Sequence, residues 1–213
     1  MLPSLLKKAP VIAIPILLIA SIFYISLSPK PLEFIIQVPS SPVTEYSSVE
    51  ELENWIGVRI PRPGYLPIGY EIKSVYQVGA KPEQGENPGG YYLLYSDEEV
   101  NYGKITSNEE LTEVVQTIGK PGGYKLFFLL NYRSVRLTVE NVKNGTLNYI
   151  NWVRENVKET DIQLIYINDM PAALETKSYG HMIVWGSQDW SFWFAGIPAI
   201  PLDELIKIAE SIR

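Results

Sequence analysis

The chain has 213 residues, of which 46% are hydrophobic and 12% aromatic, so it can bury a full core and is not a disordered chain. Its charge is uneven, because residues 31–213 contain 15 basic and 24 acidic groups, a net charge of −9. A surface this acidic repels phosphate backbones, which argues against nucleic acid as a partner, and the lack of cysteine excludes disulfides and thiolate metal sites.

The chain begins with a segment typical of a membrane anchor. Residues 10–27 contain no charged side chain, and Lys7 and Lys8 precede them. About eighteen apolar residues suffice to span the bilayer, and flanking lysines stay on the cytoplasmic side. The sequence therefore predicts a short cytoplasmic N-terminus over 1–9 and a transmembrane signal-anchor helix over 10–28 in the lipid bilayer.

A cleaved signal peptide is the alternative interpretation of the same segment. Ser26 and Ser28 would be the small residues before the cut, but Pro29 directly after them would hinder cleavage. Both interpretations place the rest of the chain on the extracytoplasmic side of the cell membrane.

Residues 29–46 contain four prolines and are predicted to form a semi-extended spacer. The apolar patch over 34–38 either docks as a strand or lies near the lipid headgroups. An extracytoplasmic α+β domain is predicted to follow over residues 47–213.

The first half of this domain carries two helix signals. Ser47 with Glu50 forms a capping box before a helix that stops at Gly57, and Ser107 with Glu110 forms another. Between the two helices, the pattern predicts strands over 70–78 and 91–96, joined by a glycine-rich and proline-rich loop over 79–90.

The second half is predicted to be mostly strands. Two strands are expected over 124–132 and 134–142, with Asn144-Gly145 as the following turn and a helix from Leu147 to Val157. Further strands are predicted over 162–167, 171–177, 181–185 and 190–195, and a last helix begins at Pro201. Short turns between most strands favour an α+β fold with a curved, mostly antiparallel sheet of about seven or eight strands and helices packed on one side.

Several sequence runs carry a family resemblance: VRIPRPGYLPIGYEIKSV, YYLLYSD, INDMPAALE, HMIVWGSQDWSFWFAGI and PLDELIKIAESIR. Residues 47–213 thereby resemble an extracytoplasmic domain-of-unknown-function family. That family forms the C-terminal domain of membrane-anchored bacterial sigma-factor regulators and of archaeal proteins. The resemblance implies a fold related to the outer-membrane lipoprotein carrier and the periplasmic sigma-E regulatory protein. It implies no catalytic residue, because the shared motifs are structural.

The aromatic strand near the C-terminus supplies the candidate binding residues. Trp190, Phe192 and Phe194 are predicted on one face, Trp193 on the other, and Trp185 on the preceding strand. A sheet that is apolar on both faces needs cover on both. Either helices and loops supply all of it and these are core residues, or a ligand or partner covers one face.

His181 is the single histidine of the chain, so a site with several histidine ligands is impossible. Ser187 and Asp189 lie near it in sequence, but on one hairpin the three side chains would not converge as a hydrolase triad. His181 is therefore interpreted as a strand-end residue.

An acidic run comprises Asp97, Glu98, Glu99 and Asn101. Its oxygens could bind calcium, yet it lacks the spaced pattern of a calcium loop, and acids that follow a strand are usually solvated.

Asn144-Gly145-Thr146 is both a turn signal and a glycosylation sequon. Both interpretations are open on the sequence alone, and Asn144 is the candidate modification site.

Taken as a whole, the sequence predicts a non-enzymatic binding or regulatory module, without a cofactor, that recognises an envelope protein or peptide. One alternative is a carrier or chaperone for a lipid or lipid-modified segment, and another is a ligand-free cell-surface structural protein. An apolar hollow lined by Trp185, Phe192 and Trp193 would favour the carrier. A filled hollow with an exposed strand edge would favour strand addition.

Overall fold

The computed structural model describes residues 41–79, 90–100, 102–116, 123–133, 135–157, 161–177, 180–196 and 200–213. The elements in chain order are β1 (Val43–Tyr46), α1 (Val49–Ile56), β2 (Glu71–Val78), β3 (Gly90–Ser96), α2 (Asn108–Gln116), β4 (Leu126–Tyr132), α3 (Val139–Asn156), β5 (Asp161–Ile167), β6 (Met170–Lys177), β7 (Gly180–Gly186), β8 (Trp190–Gly196) and α4 (Leu202–Glu210).

The eight strands form one open antiparallel sheet in the order β1-β2-β3-β4-β8-β7-β6-β5. The predicted α+β class and the antiparallel sheet are confirmed. The C-terminal half supplies β5 to β8 as consecutive hairpins, and β8 then pairs with β4 at the centre of the sheet.

Helix capping follows the sequence signals closely. At α2 the predicted box forms, because the Glu110 amide donates to Ser107 Oγ at 3.2 Å and the Ser107 amide donates to the Glu110 carboxylate at 3.3 Å. At α1 the N-cap is Ser48, one residue later than predicted, and its side chain accepts from the Glu51 amide at 3.1 Å. The Glu51 carboxylate accepts in turn from the Ser47 amide at 2.6 Å. Gly57 ends α1 in the left-handed conformation at φ 71°, which a residue with a side chain rarely adopts.

The prediction is wrong between residues 134 and 146. No strand forms there in the described residues, since α3 begins at Val139 and the expected turn at Asn144 lies inside it. Thr138 caps the helix by accepting from the Asn141 amide at 3.2 Å. Val142 and Val153, both buried, lie on one face of the helix at a spacing of three turns, and burial of this face stabilises the helix despite Gly145.

The helices cover both faces of the sheet. Leu174 of β6 belongs to the core cluster that also contains Leu52 of α1 and Leu205 of α4. The next residue, Glu175, points to the opposite face, where Tyr149 of α3 donates a hydrogen bond to it. We therefore distinguish the α1–α4 face from the α3 face.

The predicted packing of helices on one side of the sheet is wrong. The physical reason is visible in β4, where the five consecutive residues Leu126 to Leu130 are all buried. Strands that are apolar on both faces must be covered on both.

The predicted spacer over 29–46 overlaps the folded domain. Val43–Tyr46 pair with β2 as strand β1, so the folded domain starts before the expected boundary at residue 47. The predicted anchor over 10–28, the apolar patch over 34–38 and the loop interior over 80–89 lie outside the described residues. Among the described residues, no helix is long and apolar enough to cross a membrane.

Candidate binding edge

Four of the five predicted aromatic residues lie in the core on the α1–α4 face. Trp185, Trp190, Phe192 and Phe194 are between 0% and 6% exposed. The ring centroids of Trp185 and Phe192 are 4.9 Å apart, and Phe128 of β4 stacks on Phe192 at 5.7 Å. Aromatic pairs at these separations stabilise the core beyond the area they bury.

The hollow that a carrier would need on this face is filled by the protein itself. Leu52 and Ile56 of α1 and Leu205 and Ile208 of α4 are each 0% exposed within the same core cluster. Trp193 is the exception among the predicted aromatics, because it points to the α3 face. There it is half-buried, opposite Leu129 in the register of β4.

The free edge of the sheet is β5, which pairs only with β6 among the described residues. The hairpin that joins the two strands fixes which backbone groups face outward. Its turn residues Asn168 and Asp169 have φ values of 48° and 64°, as a two-residue type I′ turn requires, and Ile167 lies opposite Met170. In such a hairpin the flanking pair is hydrogen-bonded, and hydrogen-bonded pairs then alternate along the ladder.

It follows that the odd-numbered residues of β5 bond to β6 and the even-numbered residues face outward. The N–H and C=O groups of Leu164 and Tyr166 therefore point away from the sheet. An independent contact agrees with this assignment, because Arg154 Nη2 of α3 donates to the outward-facing carbonyl of Ile162 at 3.4 Å.

The side chains of the same residues are exposed. Leu164 is 38% exposed and Tyr166 is 61% exposed. Leu164 lies opposite Ala173, which points to the α3 face because its neighbour Leu174 points to the α1–α4 face. Tyr166, two residues further along β5, lies on the α3 face as well. Two apolar side chains thus lie beside the backbone groups that face outward. This ribbon, Gln163 to Tyr166, is the candidate binding edge, since the outward-facing carbonyl of Ile162 is already bonded to Arg154.

The two edges of the sheet are protected differently. Strand β1 has only four residues, and its outer side is occupied where the Val43 amide donates to the Thr106 carbonyl at 3.1 Å and the Asn108 amide donates to the Ser41 carbonyl at 3.1 Å. Strand β5 has seven residues, with no lysine and no proline among them. Natural sheets usually protect a long edge with such residues, so β5 resembles an edge kept open for pairing.

The strand behind this edge is joined to helix α3 by a buried hydrogen bond. Tyr149 of α3 is 3% exposed and donates its hydroxyl hydrogen to the carboxylate of Glu175, which is 0% exposed. This buried bond joins α3 to β6, the strand that carries β5. Loss of a hydrogen bond between two buried side chains costs more than loss of one at the surface, because water cannot replace the missing partner.

The residues considered for catalysis are separated. His181 lies near the start of β7, with its Nδ1 3.2 Å from Thr176 Oγ1. Ser187 follows the other end of β7, where its Oγ accepts from the Trp190 amide, and Asp189 pairs with Arg136 at 3.4 Å. A seven-residue strand spans about 20 Å, so these side chains do not form one site.

The acidic run stays at the surface. Asp97, Glu98 and Glu99 are exposed, and Glu98 pairs with Lys125 at 3.5 Å. Asn101 lies outside the described residues. No group of three acidic or histidine side chains within the described ranges could hold a metal ion.

Asn144 is exposed in the middle of α3, where its Nδ2 donates to Glu140 Oε1 at 3.2 Å. The predicted turn is wrong at this position. The sequon lies on a helix, whereas acceptor asparagines are typical of surface loops.

Sequence reasoning missed Leu164 and Tyr166. The segment IQLIYI was predicted as a strand, but its place at the edge depends on the strand order, which the sequence did not reveal. The sequence signal was a strand without lysine or proline, next to a two-residue turn.

The C-terminal part of the chain is similar to a known protein family. Residues 123–212 match the family model described as Domain of unknown function (DUF4367). The matched region contains β4, α3, β5 to β8 and α4, and so includes the whole candidate binding edge. No curated protein and no solved structure matches the chain.

Proposed function

We propose that this domain is a protein-binding module that accepts an extended segment of a partner as a further strand on β5. One observation carries the proposal: the backbone groups of Leu164 and Tyr166 face outward on an open edge, and the side chains of both residues are exposed beside them. Main-chain hydrogen bonds along the edge would supply affinity, and the two side chains would select the partner.

The partner's chemistry follows from this surface. Residues of an added strand that point to the α3 face would contact Leu164 and Tyr166, so apolar side chains are expected at alternate positions. Residues 31–213 carry a net charge of −9, which favours a segment flanked by lysine or arginine. We therefore propose an extended, basic and apolar peptide segment of an envelope protein.

We further propose that the module is held outside the cytoplasm by a single membrane span over residues 10–28. The uncharged run after Lys7 and Lys8 supports this placement. The relation in fold to the lipoprotein carrier and the periplasmic sigma-E regulator belongs to the same proposal. The packing of Trp185 and Phe192 in the core favours partner binding over lipid carriage.

The absence of native cysteine makes the placement testable. Asn144→Cys puts one thiol at an exposed position on α3. In intact cells a membrane-impermeant maleimide should label this variant without lysis. Labelling only after lysis would place the domain in the cytoplasm.

The binding edge can be tested with a photo-crosslinking amino acid in the full chain. p-Benzoylphenylalanine at Tyr166 should give a discrete protein adduct in native cells, whereas the same residue at Tyr65, an exposed tyrosine beside α4, should not. Leu164→Pro in the same chain removes an outward-facing N–H and should abolish the adduct. An adduct that survives this substitution, or no adduct at residue 166, would count against strand addition.

Hydrogen exchange then distinguishes strand addition from other contacts. A synthetic peptide of the crosslinked segment should protect the amides of Leu164 and Tyr166, while those of Gln163 and Ile165 are already protected by β6.

Native mass spectrometry of the same chain tests the lipid-carrier alternative, since a stoichiometric bound lipid would support a carrier instead.

A further inference from the structure

The free edge of β5 is complementary to a second copy of itself. Its outward-facing N–H and C=O groups belong to Leu164 and Tyr166, with Ile165 between them. If a second β5 lies antiparallel with Ile165 on the two-fold axis, Leu164 of each copy is opposite Tyr166 of the other. Opposite residues at such positions exchange two hydrogen bonds, so the outward groups of both residues are all paired.

Arg154 favours this register over its neighbours. With Leu164 on the axis instead, Tyr166 of the second copy would lie opposite Ile162. The carbonyl of Ile162 already accepts from Arg154 Nη2 at 3.4 Å, so the guanidinium occupies the space that the added strand would need. With Tyr166 on the axis, Leu164 would lie opposite Asn168, a turn residue with φ 48°. The register with the axis between Leu164 and Tyr166 avoids both conflicts.

The side chains match in the same register. Leu164 is 38% exposed and Tyr166 is 61% exposed, and on the α3 face each would pack against the other residue of the second copy. On the opposite face the two Ile165 side chains would meet at the axis. Residues 163–167 carry no charge, so the centre of the interface brings no like charges together.

The ends of the interface keep this pairing weak. Asp161 would approach Asp169 of the second copy, and Arg154 beside Ile162 offsets only part of the repulsion. The net charge of −9 over residues 31–213 also opposes the approach of two copies. About five residues on each side take part, against roughly 20–30 in a stable interface. The pairing is therefore expected to be reversible.

We propose that a second copy of this chain pairs with β5 in a two-fold dimer and closes the edge while no partner segment is bound. This dimer rests on the strand-addition function proposed above, because the same backbone groups serve both. The proposed membrane span would hold copies on one surface and raise their effective concentration. The assembly stops at two copies, because the segment over 106–108 occupies the outer side of β1, the other edge strand.

Cysteine crosslinking in the full chain tests the dimer, since the native chain contains no cysteine. Ile165→Cys would place two thiols at the axis, where Cα atoms of a non-hydrogen-bonded pair are about 4.5 Å apart and suit a disulfide. Mild oxidation of native membranes should therefore give a dimer on a non-reducing gel.

Two more exposed positions are the controls for random collision, Leu164→Cys in the same strand and Val135→Cys at a residue that is 70% exposed. Both should crosslink about tenfold more slowly, because their Cα atoms would be more than about 7 Å from their own copies. Ile165→Cys that dimerises no faster than Val135→Cys would overturn the proposal.

Two substitutions in the Ile165→Cys chain test the register. Leu164→Pro removes one N–H of the interface and should abolish the disulfide, whereas Asp161→Asn removes a like-charge pair at each end and should speed its formation about twofold or more. Circular dichroism checks that each variant folds. Unchanged rates in these variants would contradict the pairing.

The photo-crosslinker p-benzoylphenylalanine at Tyr166 separates the dimer from strand addition without any cysteine. An adduct of twice the chain mass supports the dimer, whereas adducts with other proteins alone would overturn the dimer and leave strand addition standing. A dimer adduct with no other protein would contradict the proposed partner instead. If both adducts form, oxidation of a chain that also carries Ile165→Cys should remove the adduct with the other protein, and reduction should restore it.

Discussion

The hydroxyl of Tyr149 donates a hydrogen bond to the carboxylate of Glu175 in the buried layer between α3 and the sheet. Glu175 is 0% exposed, and it and Lys125 are the buried acidic and basic residues within the described ranges. A polar group at such a position needs a hydrogen-bond partner, because burial without one costs free energy.

We expect Tyr149→Phe to destabilise the protein by about 1–3 kcal/mol, because it removes a hydroxyl donor from a buried carboxylate while keeping the ring. The urea midpoint measures the loss. Tyr65→Phe is the matched control, since Tyr65 also donates to a glutamate, Glu204, but at the surface. The control should change the urea midpoint little. Equal losses of stability in both variants would show that burial of the Tyr149–Glu175 hydrogen bond does not increase its contribution.

The hydrogen bond from Tyr65 to Glu204 also affects the pKa of Glu204. It is the main cause that lowers the pKa of Glu204 below its ordinary value of 4.5. A carboxylate with a lowered pKa stabilises the folded state above the unfolded pKa, and this contribution disappears as pH falls through the folded pKa. NMR titration should therefore show the pKa of Glu204 rising toward 4.5 in Tyr65→Phe. An unchanged pKa would mean that Lys207, 3.3 Å away, causes the shift instead.

Thr138 starts the helix that replaces a predicted strand. Its side chain accepts from the Asn141 amide, so Thr138→Ala should cost about 1 kcal/mol in unfolding free energy, as for other helix caps. Thr138→Ser keeps the acceptor oxygen and should retain most of the stability. If both variants lose the same unfolding free energy in urea denaturation, the methyl group of Thr138 rather than its capping oxygen is responsible.

The misread segment shows why local patterns were insufficient here. Residues 134–142 contain Val135, Leu137 and Val139 in alternation, which is a strand pattern, and Asn144-Gly145 is a strong turn signal. All three of these apolar residues lie outside strands in the structure, and Val135 is 70% exposed. Helix α3 is stabilised by the packing of Val142 and Val153 on the sheet. These contacts join residues that are far apart in sequence, so a local sequence pattern does not reveal them.

The candidate site was only partly predictable for a related reason. The alternation of Trp190, Phe192 and Phe194 on one face is a local property, and the sequence revealed it. Whether that face was open depended on α1 and α4, which are distant in sequence and cover it together. The edge position of β5 likewise depends on β4 pairing with β8 rather than with β5, the strand that follows it in sequence.

Because side chains fill the α1–α4 face, a substitution at its centre should strongly lower the free energy of unfolding. Phe128 is 0% exposed and contacts the rings of Trp185, Phe192 and Phe194. Phe128→Ala should cost about 3–5 kcal/mol, because it removes a large buried side chain and leaves a cavity. The urea midpoint and near-ultraviolet circular dichroism both report this change.

Leu147→Ala is the control for that substitution, since Leu147 is 38% exposed on α3. It should have an effect within about 0.5 kcal/mol. A small effect of Phe128→Ala would imply that the face is loosely packed, and it would return the lipid carrier to consideration.

The assignment of outward-facing groups on β5 can be tested without a partner. Proline removes a backbone N–H, so its effect reports where that N–H points. Leu164→Pro should cost little because the Leu164 amide faces outward, whereas Gln163→Pro should cost about 1–3 kcal/mol because the Gln163 amide bonds to β6. Both side chains are exposed, so the pair is matched in burial.

Thermal and urea unfolding of the two variants measure the difference. A larger loss in Leu164→Pro than in Gln163→Pro would reverse the assignment, and the outward-facing amides would then be those of Gln163 and Ile165. The side chain of Ile165 packs against the core cluster, so that reversal would separate the free backbone groups from the exposed apolar side chains. Strand addition would then lose the feature that makes β5 selective, because its hydrogen bonds and its side-chain contacts would come from different residues.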